Sequence, residues 1–274
     1  MKKIICWTLV CAMLFVSLAA AVSAIVFTDA DGIGAPYKTA VEQMTALGVL
    51  NGFPDGSFQP KGTLTREQGA KIIAYMCLGK DVENLTCSEA PFDDVEADRW
   101  SAASIAWCAD HGILLGYGDG TFGPEDLLTG DQFAKMLLCA FELGDTARYA
   151  GPGWFEAVRI DADANGLYEG DQTMATDQPI TREQAALLAW NTIKAAQHVA
   201  AEGADNDAAS GDAGKTEAPG TTDNTGLSGY GGNVSLSWLN YLLSQLAQNG
   251  GKTPEEPEGP LTSTGDDITL PDLP

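Results

Sequence analysis

The sequence predicts an all-α fold of three pseudo-symmetric helix-loop-helix units, followed by a disordered acidic tail. Three observations support this prediction. A thirteen-residue stretch occurs twice, at residues 48–60 (GVLNGFPDGSFQP) and 112–124 (GILLGYGDGTFGP), with a constant offset of 64 residues. A shortened third copy follows, and the segments between the loops place apolar residues at helical spacing. Repeats of this size are typical of stacked helical units.

Each copy has the features of one helix ending, a tight turn and a second helix beginning. Asp-Gly is a turn dipeptide, and Pro60 and Pro124 end the turn. Thr65 and Thr129 are suitable N-caps for the helices that follow. The pattern predicts helices over residues 39–47, 67–76, 104–111, 131–141 and 183–196.

The third copy has lost part of its loop. Trp154 matches Trp100 at an offset of 54 residues, and residues 181–184 (TREQ) repeat residues 65–68 letter for letter. Two residues are missing between these landmarks, which removes the Asp-Gly-x-Phe turn, so the third loop must be built differently. The predicted units are residues 25–78, 88–144 and 150–196, the last being degenerate.

These motifs resemble the S-layer homology (SLH) family. Its repeats begin Phe-x-Asp-Val, pass through Trp and Gly-Ile, and continue as Gly-Tyr-x-Asp-Gly-x-Phe-x-Pro to a Thr-Arg-Glu box. The second copy has this front end in residues 92–95 (FDDV) and Trp100, whereas Phe27, Asp29 and Tyr37 match it less faithfully in the first copy. The resemblance covers residues 27 to about 195. It implies a three-repeat module that binds cell-wall polysaccharide outside a bacterial cell.

The N-terminus and the charge restrict the location and the partners. A basic start, an apolar run over residues 4–21 and Ala24 are typical of a secretory signal over residues 1–24, with a membrane anchor as the alternative. Without that segment 13 basic residues face 38 acidic ones, a net charge of about −25. Such a chain repels nucleic acid and anionic membranes. We therefore expect a secreted protein at the cell-wall surface, with no nucleic-acid partner and no membrane contact after cleavage.

Four cysteines remain after cleavage. Cys77 and Cys87 flank the connector between the first two units, and the extracellular setting makes them a disulfide candidate, with free thiols as the equal alternative. Cys108 and Cys139 lie on apolar helical faces and are predicted to pack as small hydrophobic residues. The spacings contain no Cys-x-x-Cys pair, so we expect no zinc site.

Nothing in the sequence indicates a metal, a cofactor or catalysis. Residues 161–166 (DADANG) match the opening of a calcium loop, but the twelfth position is Gln172, where a bidentate acid is required. The same residues align with the helix end of the other units, and we interpret them as part of the repeat. The common hydrolase, metalloprotease and phosphate-loop motifs do not occur, so the chain is predicted not to be an enzyme.

The Thr-Arg-Glu box is the candidate binding site. The arginine follows the threonine N-cap at the positive end of a helix, where backbone N–H groups lack helical partners. The resemblance implies that Arg66 and Arg182, with Thr65 and Thr181, bind an acidic, pyruvate-bearing sugar of a secondary cell-wall polymer, because a guanidinium fits a carboxylate. The alternative role of the arginines is an ion pair to a neighbouring unit. The second box, residues 129–131 (TGD), has a glycine where the other two boxes have an arginine. It therefore lacks the cation, and we expect it not to bind the sugar.

The aromatic residues have two possible roles. The loop residues Phe53, Phe58, Tyr117 and Phe122 are predicted to fill gaps between units rather than to stack on sugars. Trp100 and Trp154 are suited either to a sugar-binding surface or to the core. The alternative overall function is a structural or adaptor protein whose repeats and tail bind a protein partner.

The tail differs in composition from the rest of the chain. From residue 195 onward there are 12 acids and two lysines, so residues 197–274 are predicted to be disordered. Residues 235–248 (SLSWLNYLLSQLAQ) are an exception, because four leucines share one helical face and two glycines follow. A helix this short is marginal alone. We expect it to dock on the folded units or on another surface protein.

The signal segment leads to a direct prediction. Cleavage after Ala24 makes Ile25 the first residue of the exported protein, because small residues precede the cleavage site. N-terminal sequencing of secreted material should therefore start at Ile25. Finding Met1 there would contradict the assignment.

Overall fold

The computed structural model describes residues 27–209, with side chains described for residues 27–198. The predicted signal segment and the predicted tail helix at 235–248 lie outside the described residues. Within that range the chain forms α-helices and no β-strand, which confirms the all-α prediction. The helices are α1 (Lys38–Ala46), α2 (Arg66–Leu78), α3 (Ala102–Asp110), α4 (Gly130–Ala140), α5 (Trp154–Ala164) and α6 (Arg182–Ala209). Across the described range, no helix is both long and apolar enough to cross a membrane.

The helices form three pairs, each joined by a loop. The first pair is α1 and α2, the second α3 and α4, and the third α5 and α6. Their loops, named the first, second and third loops, are residues 47–65, 111–129 and 165–181. The third loop is two residues shorter than the other two, as the missing turn predicts.

Helix α6 ends later than predicted. The sequence interpretation placed the boundary of the folded part at residue 196, but the helix continues to Ala209. Residues 197–209 are rich in alanine, the residue with the highest helix propensity, and they contain no proline. The disordered tail beyond the helix stays a prediction.

The helix packing closes the chain into a ring. The first helix of each pair packs on the second helix of the preceding pair, so α3 packs on α2 and α5 packs on α4. Helix α1 packs on α6, although the two lie at opposite ends of the described sequence. Helix α4 also contacts both α2 and α6, which places the second helices at the centre. The core lies between these central helices and the outer ones.

Three backbone hydrogen bonds connect the ends of the three loops in a cycle, which we call the central cycle. The N–H of Leu64 donates to the carbonyl of Ile180 at 3.1 Å. The N–H of Leu128 donates to Leu64, and that of Ile180 donates to Leu128, each at 2.8 Å. All three side chains are buried. Buried backbone groups require partners, and here each of the three loops provides one for its neighbour.

Threonine N-caps follow the central cycle. The side chain of Thr65 accepts from the N–H of Gln68, and the Gln68 side chain accepts in return from the N–H of Thr65 at 3.0 Å. Thr129 and Thr181 make the same capping box with the glutamine three residues on. The predicted caps are therefore confirmed, and each satisfies first-turn donors that the helix itself leaves open.

The predicted Cys77–Cys87 disulfide is absent from the structure. Both residues are free thiols. The side chain of Cys77 is fully buried on the inner face of α2, whereas Cys87 lies in the connector and donates to the carbonyl of Glu89 at 3.0 Å. The two thiols therefore have separate environments. Cys108 and Cys139 are buried, which confirms their predicted role as small hydrophobic residues.

Adjacent leucines in the second loop give a matched test of the central cycle. Leu128 is fully buried, whereas Leu127 is 52% exposed. Leu128→Ala should lower the free energy of unfolding by about 2–5 kcal/mol, because it leaves a cavity where the three loops meet. Leu127→Ala should change it by about 0.5 kcal/mol or less. Urea denaturation measures both; equal midpoints for the two variants would contradict the packing.

Candidate functional site

Arg66 begins α2, and its side chain extends into the second loop. Its Nε donates to the carbonyl of Phe122 at 2.9 Å and its Nη2 to that of Leu115 at 3.0 Å. The guanidinium carbon lies 4.9 Å from the ring centre of Tyr117 and 4.5 Å from that of Phe122. Only 8% of the residue is exposed, and burial lowers the pKa of Arg66. Arg66 thus joins the first helix pair to the second loop.

Arg182 begins α6 and makes the equivalent contacts with the first loop. Its Nε donates to the carbonyl of Phe58 at 2.8 Å, and its Nη2 donates to that of Asn51 at 2.6 Å. The rings of Phe53 and Phe58 lie 4.8 and 4.7 Å from the guanidinium carbon. Burial lowers the pKa of Arg182 to about 10, and nearby Asp29 opposes this shift. Its buried Nη1 has no hydrogen-bond partner among the described residues.

The helix starts do not offer the free N–H groups that the sequence interpretation expected. The N–H of Arg66 donates to the carbonyl of Asp126 at 2.9 Å, and that of Glu67 donates to Pro124 at 3.0 Å. The same bonds occur at the start of α6, from Arg182 to Gly62 and from Glu183 to Pro60. The expectation is wrong because the loop of the next pair covers each helix start. Any bound anion must therefore rely on side chains.

The alternative role of the arginines, an ion pair to a neighbouring unit, is not what the structure shows, because the acid that follows each arginine forms the pair instead. Glu67 accepts from Arg99 at 2.7 and 2.9 Å and from the hydroxyl of Ser101 at 2.6 Å. In the described part of the chain Arg66 and Arg182 bond to carbonyls and form no ion pair. The pairs between successive helix pairs are Glu67 with Arg99, Asp131 with Arg159 and Glu183 with Lys61.

The junction of the second and third pairs is built without an arginine in the box. A Cβ at Gly130 would lie 3.0 Å from both the Cα and the carbonyl oxygen of Thr176. The shortened third loop therefore approaches the helix start where the other junctions place a guanidinium. The absence of a side chain at Gly130 is thus compatible with the two-residue deletion in the third loop. Asp131, next in the box, accepts two hydrogen bonds from Arg159, at 2.8 and 2.7 Å.

The aromatic residues of the loops have different roles. Phe58 and Phe122 are fully buried, which confirms that they fill gaps. Phe53 is half-buried over Arg182, and Tyr117 is 53% exposed over Arg66, so the gap-filling prediction is wrong for Tyr117. Leu115 and Leu127 are also exposed in the second loop. Sequence reasoning missed this apolar surface because Phe53 and Tyr117 occupy equivalent positions in the repeat.

The two predicted tryptophans lie in different settings. Trp100 is 37% exposed and follows Arg99, the partner of Glu67. Trp154 packs partly against the core, and the ammonium group of Lys135 lies 5.0 Å from its ring centre. Burial, and to a smaller extent the charge of Arg66, lower the pKa of Lys135. The structure therefore leaves Trp100 accessible and makes Trp154 largely a packing residue.

The calcium-like segment is engaged in internal contacts. Asp161, its first residue, accepts hydrogen bonds from Arg148 and from the hydroxyl of Tyr149, both at 2.6 Å. Within the described range, no group of three or more potential ligands is arranged to hold a metal ion. These contacts account for Asp161 as a structural residue of α5.

Comparison with known proteins identifies the first two repeats. The model of the S-layer homology domain matches residues 26–70 and 91–134. The surface-layer 125 kDa protein of Lysinibacillus sphaericus is 31% identical over 184 residues, which are 63% of this chain and 15% of that protein. Cell surface glycoprotein 1 of Acetivibrio thermocellus is 38% identical over 89 residues, 32% of this chain and 4% of that protein.

The cellulosome-anchoring protein of Acetivibrio thermocellus is 35% identical over 88 residues, which are 32% of this chain and 20% of that protein. The matches thus span a fifth or less of these three relatives. The contacts of Arg66 with the second loop lie wholly inside the two matched segments, whereas Arg182 lies outside them. The resemblance inferred from the repeats is therefore confirmed at residues 26–70 and 91–134, which match the S-layer homology domain.

Proposed function

We propose that this is a non-catalytic surface protein whose helical module attaches to the bacterial cell wall by binding an acidic, pyruvylated secondary cell-wall polysaccharide. The family match and the surface-layer and cellulosome-anchoring relatives support the general role. The observation that supports the sugar site is the arrangement at Arg66, a fixed guanidinium beside the exposed ring of Tyr117. We also propose that the third helix pair is a degenerate repeat of the same family.

The Arg66 site combines the two features that an acidic sugar needs. The exposed ring of Tyr117, with Leu115 and Leu127, provides an apolar surface for the flat face of a sugar ring. The guanidinium beside that ring provides a positive charge, with Asp94 and Asp126 nearby, in a chain whose net charge is −23. An anionic polymer is repelled elsewhere on such a surface, so a local cation determines where it binds. The carboxylate of a pyruvyl group suits this position.

The remaining predicted residues take supporting roles in this proposal. Arg182 with Phe53 is the second site in this proposal, and its Nη1, which has no partner among the described residues, is the donor that remains for a ligand. Thr65 and Thr181 hold the helix starts that aim the arginines. Trp100 is accessible and contacts a neighbouring sugar of the polymer in this proposal. Trp154 acts indirectly, because its ring contacts the ammonium group of Lys135.

Tyr117 gives a cleaner test than the arginines. Arg66→Ala would remove two hydrogen bonds that hold the second loop and so would loosen the site itself. Tyr117→Ala removes an exposed ring and its hydrogen bond to Asp126. It should weaken binding to purified wall sacculi about two- to twelvefold, since an aromatic contact contributes about 0.5–1.5 kcal/mol. Ile160→Ala, at a residue 62% exposed on α5, is the matched control and should bind as the unmodified protein does. Added salt should weaken binding.

The same pull-down separates the wall polymer from a protein partner. Sacculi stripped of their polysaccharide should not retain the protein, and sacculi that lack only the pyruvyl groups should retain it weakly. Equal retention of the Tyr117→Ala and Ile160→Ala variants would contradict the site. Undiminished binding to stripped sacculi would contradict the polysaccharide and favour the adaptor function.

A further inference from the structure

The first loop contains a dipeptide, Asn51-Gly52, whose asparagine is exposed to solvent. Neither the side-chain amide of Asn51 nor the N–H of Gly52 makes a hydrogen bond with any of the described residues. In an Asn-Gly sequence the glycine nitrogen can attack the side-chain amide carbon, because glycine has no side chain that hinders the approach. The reaction expels ammonia and forms a succinimide ring, which water opens to aspartate or isoaspartate.

The other Asn-Gly dipeptide of the described range is protected. The Nδ2 of Asn165 donates to two main-chain carbonyls, at 2.7 and 2.8 Å. The N–H of Gly166 donates to the carbonyl of Asp163 at 2.9 Å. A succinimide at Asn165 requires these hydrogen bonds to break first, whereas none of this kind holds Asn51.

Packing requires the glycine of the reactive dipeptide. A Cβ at Gly52 would lie 2.7 Å from the ring of Phe27 and 3.0 Å from the carbonyl oxygen of Ser57. Gly116, the equivalent residue of the second loop, is equally crowded, because a Cβ there would lie 2.5 Å from a backbone oxygen. The residue before it is Leu115, which carries no amide. The asparagine is therefore the feature that distinguishes the first loop from the second.

We propose that Asn51 converts spontaneously to isoaspartate and that the new carboxylate forms an ion pair with Arg182. In the first step the Gly52 nitrogen bonds to Cγ of Asn51, the bond from Cγ to Nδ2 breaks, and the N–H proton leaves with ammonia. In the second step the hydroxyl of water bonds to the main-chain carbonyl carbon of residue 51. The bond from that carbon to the Gly52 nitrogen breaks, the nitrogen takes the other proton of water, and the new acid ionises.

The main chain then passes through Cβ and Cγ of residue 51, and the former main-chain carbonyl is a free carboxylate. Its oxygen already accepts from Nη2 of Arg182 at 2.6 Å, and a donor at this oxygen polarises the carbonyl toward attack by water. The buried Nη1 of Arg182 has no partner among the described residues, and a carboxylate can accept two hydrogen bonds from one guanidinium. The position of Arg182 therefore favours isoaspartate over aspartate.

The inference goes beyond the proposed function, because the reaction needs only water and does not depend on the sugar. Its consequence concerns the same residue. An ion pair with isoaspartate neutralises Arg182, the cation of the second proposed site.

The test is peptide mapping of the full chain after incubation at neutral pH, by mass spectrometry with electron-based fragmentation, which separates isoaspartate from aspartate. Asn51 should convert at least about tenfold faster than Asn165, because hydrogen bonds protect Asn165. In urea both should convert at similar rates. The ratio of isoaspartate to aspartate at residue 51 should be at least about twofold higher in the native chain than in urea.

Two substitutions exchange the equivalent residues of the two loops. Asn51→Leu should abolish conversion at residue 51. Leu115→Asn should introduce conversion at residue 115 at a rate comparable to that of Asn51, because the carbonyl of residue 115 accepts from Arg66 in the same way. Absence of conversion at residue 115 would contradict the role given to the loop.

The ion pair has its own readout. In ¹³C-labelled protein the pKa of the new carboxylate should lie below that of the same isoaspartate in the isolated peptide, because a nearby guanidinium favours the charged form. An equal pKa in the two would overturn the pairing with Arg182. Equal conversion of Asn51 and Asn165 in the native chain, or an isoaspartate ratio no higher than in urea, would overturn the proposal.

Discussion

The architecture depends on the central cycle of backbone hydrogen bonds among Leu64, Leu128 and Ile180. Each of these residues immediately precedes the threonine that caps a central helix, so the cycle fixes where the three central helices start relative to one another. The arginine and the acid of the box come next in sequence. Because their backbone is fixed, their side chains contact the next pair, at its loop, its outer helix or the residues just before that helix. The ring closure and the candidate sites therefore have one geometric origin.

The three junctions show that a box and the loop it meets act as a unit. Where the loop has the Asp-Gly-x-Phe turn, an arginine donates to its carbonyls and lies against its phenylalanine, as Arg66 does with Phe122. Where the turn is deleted, the box has Gly130, and the loop backbone occupies the space. The acidic residue that follows the arginine or glycine of the box forms an ion pair with the next helix pair at every junction. Inter-repeat ion pairing is thus common to all three junctions, whereas a buried arginine of the box is found at two.

Local features of the fold could be predicted from the sequence, and long-range ones could not. The capping boxes and the turns depend on residues three or four apart, and the constant 64-residue offset reveals them. The packing of α1 on α6 joins segments far apart in sequence, and no local pattern indicates it. The helix-start N–H groups looked free in the sequence because their acceptors, such as the carbonyl of Asp126, belong to another repeat. The exposure of Tyr117 also depends on contacts between repeats. Phe53 occupies the equivalent position in the first repeat and is half-buried, so the repeat pattern alone does not indicate which ring is exposed.

The central claim is that three helix pairs close into one ring through the central cycle. Native-state hydrogen exchange of the amides of Leu64, Leu128 and Ile180 tests it most directly, because each amide donates one bond of the cycle. The account predicts that all three exchange with similar protection, close to the free energy of global unfolding. Exchange of Ile180 through a local opening, with Leu64 and Leu128 still protected, would show that the third pair is not part of a closed ring and would contradict the account.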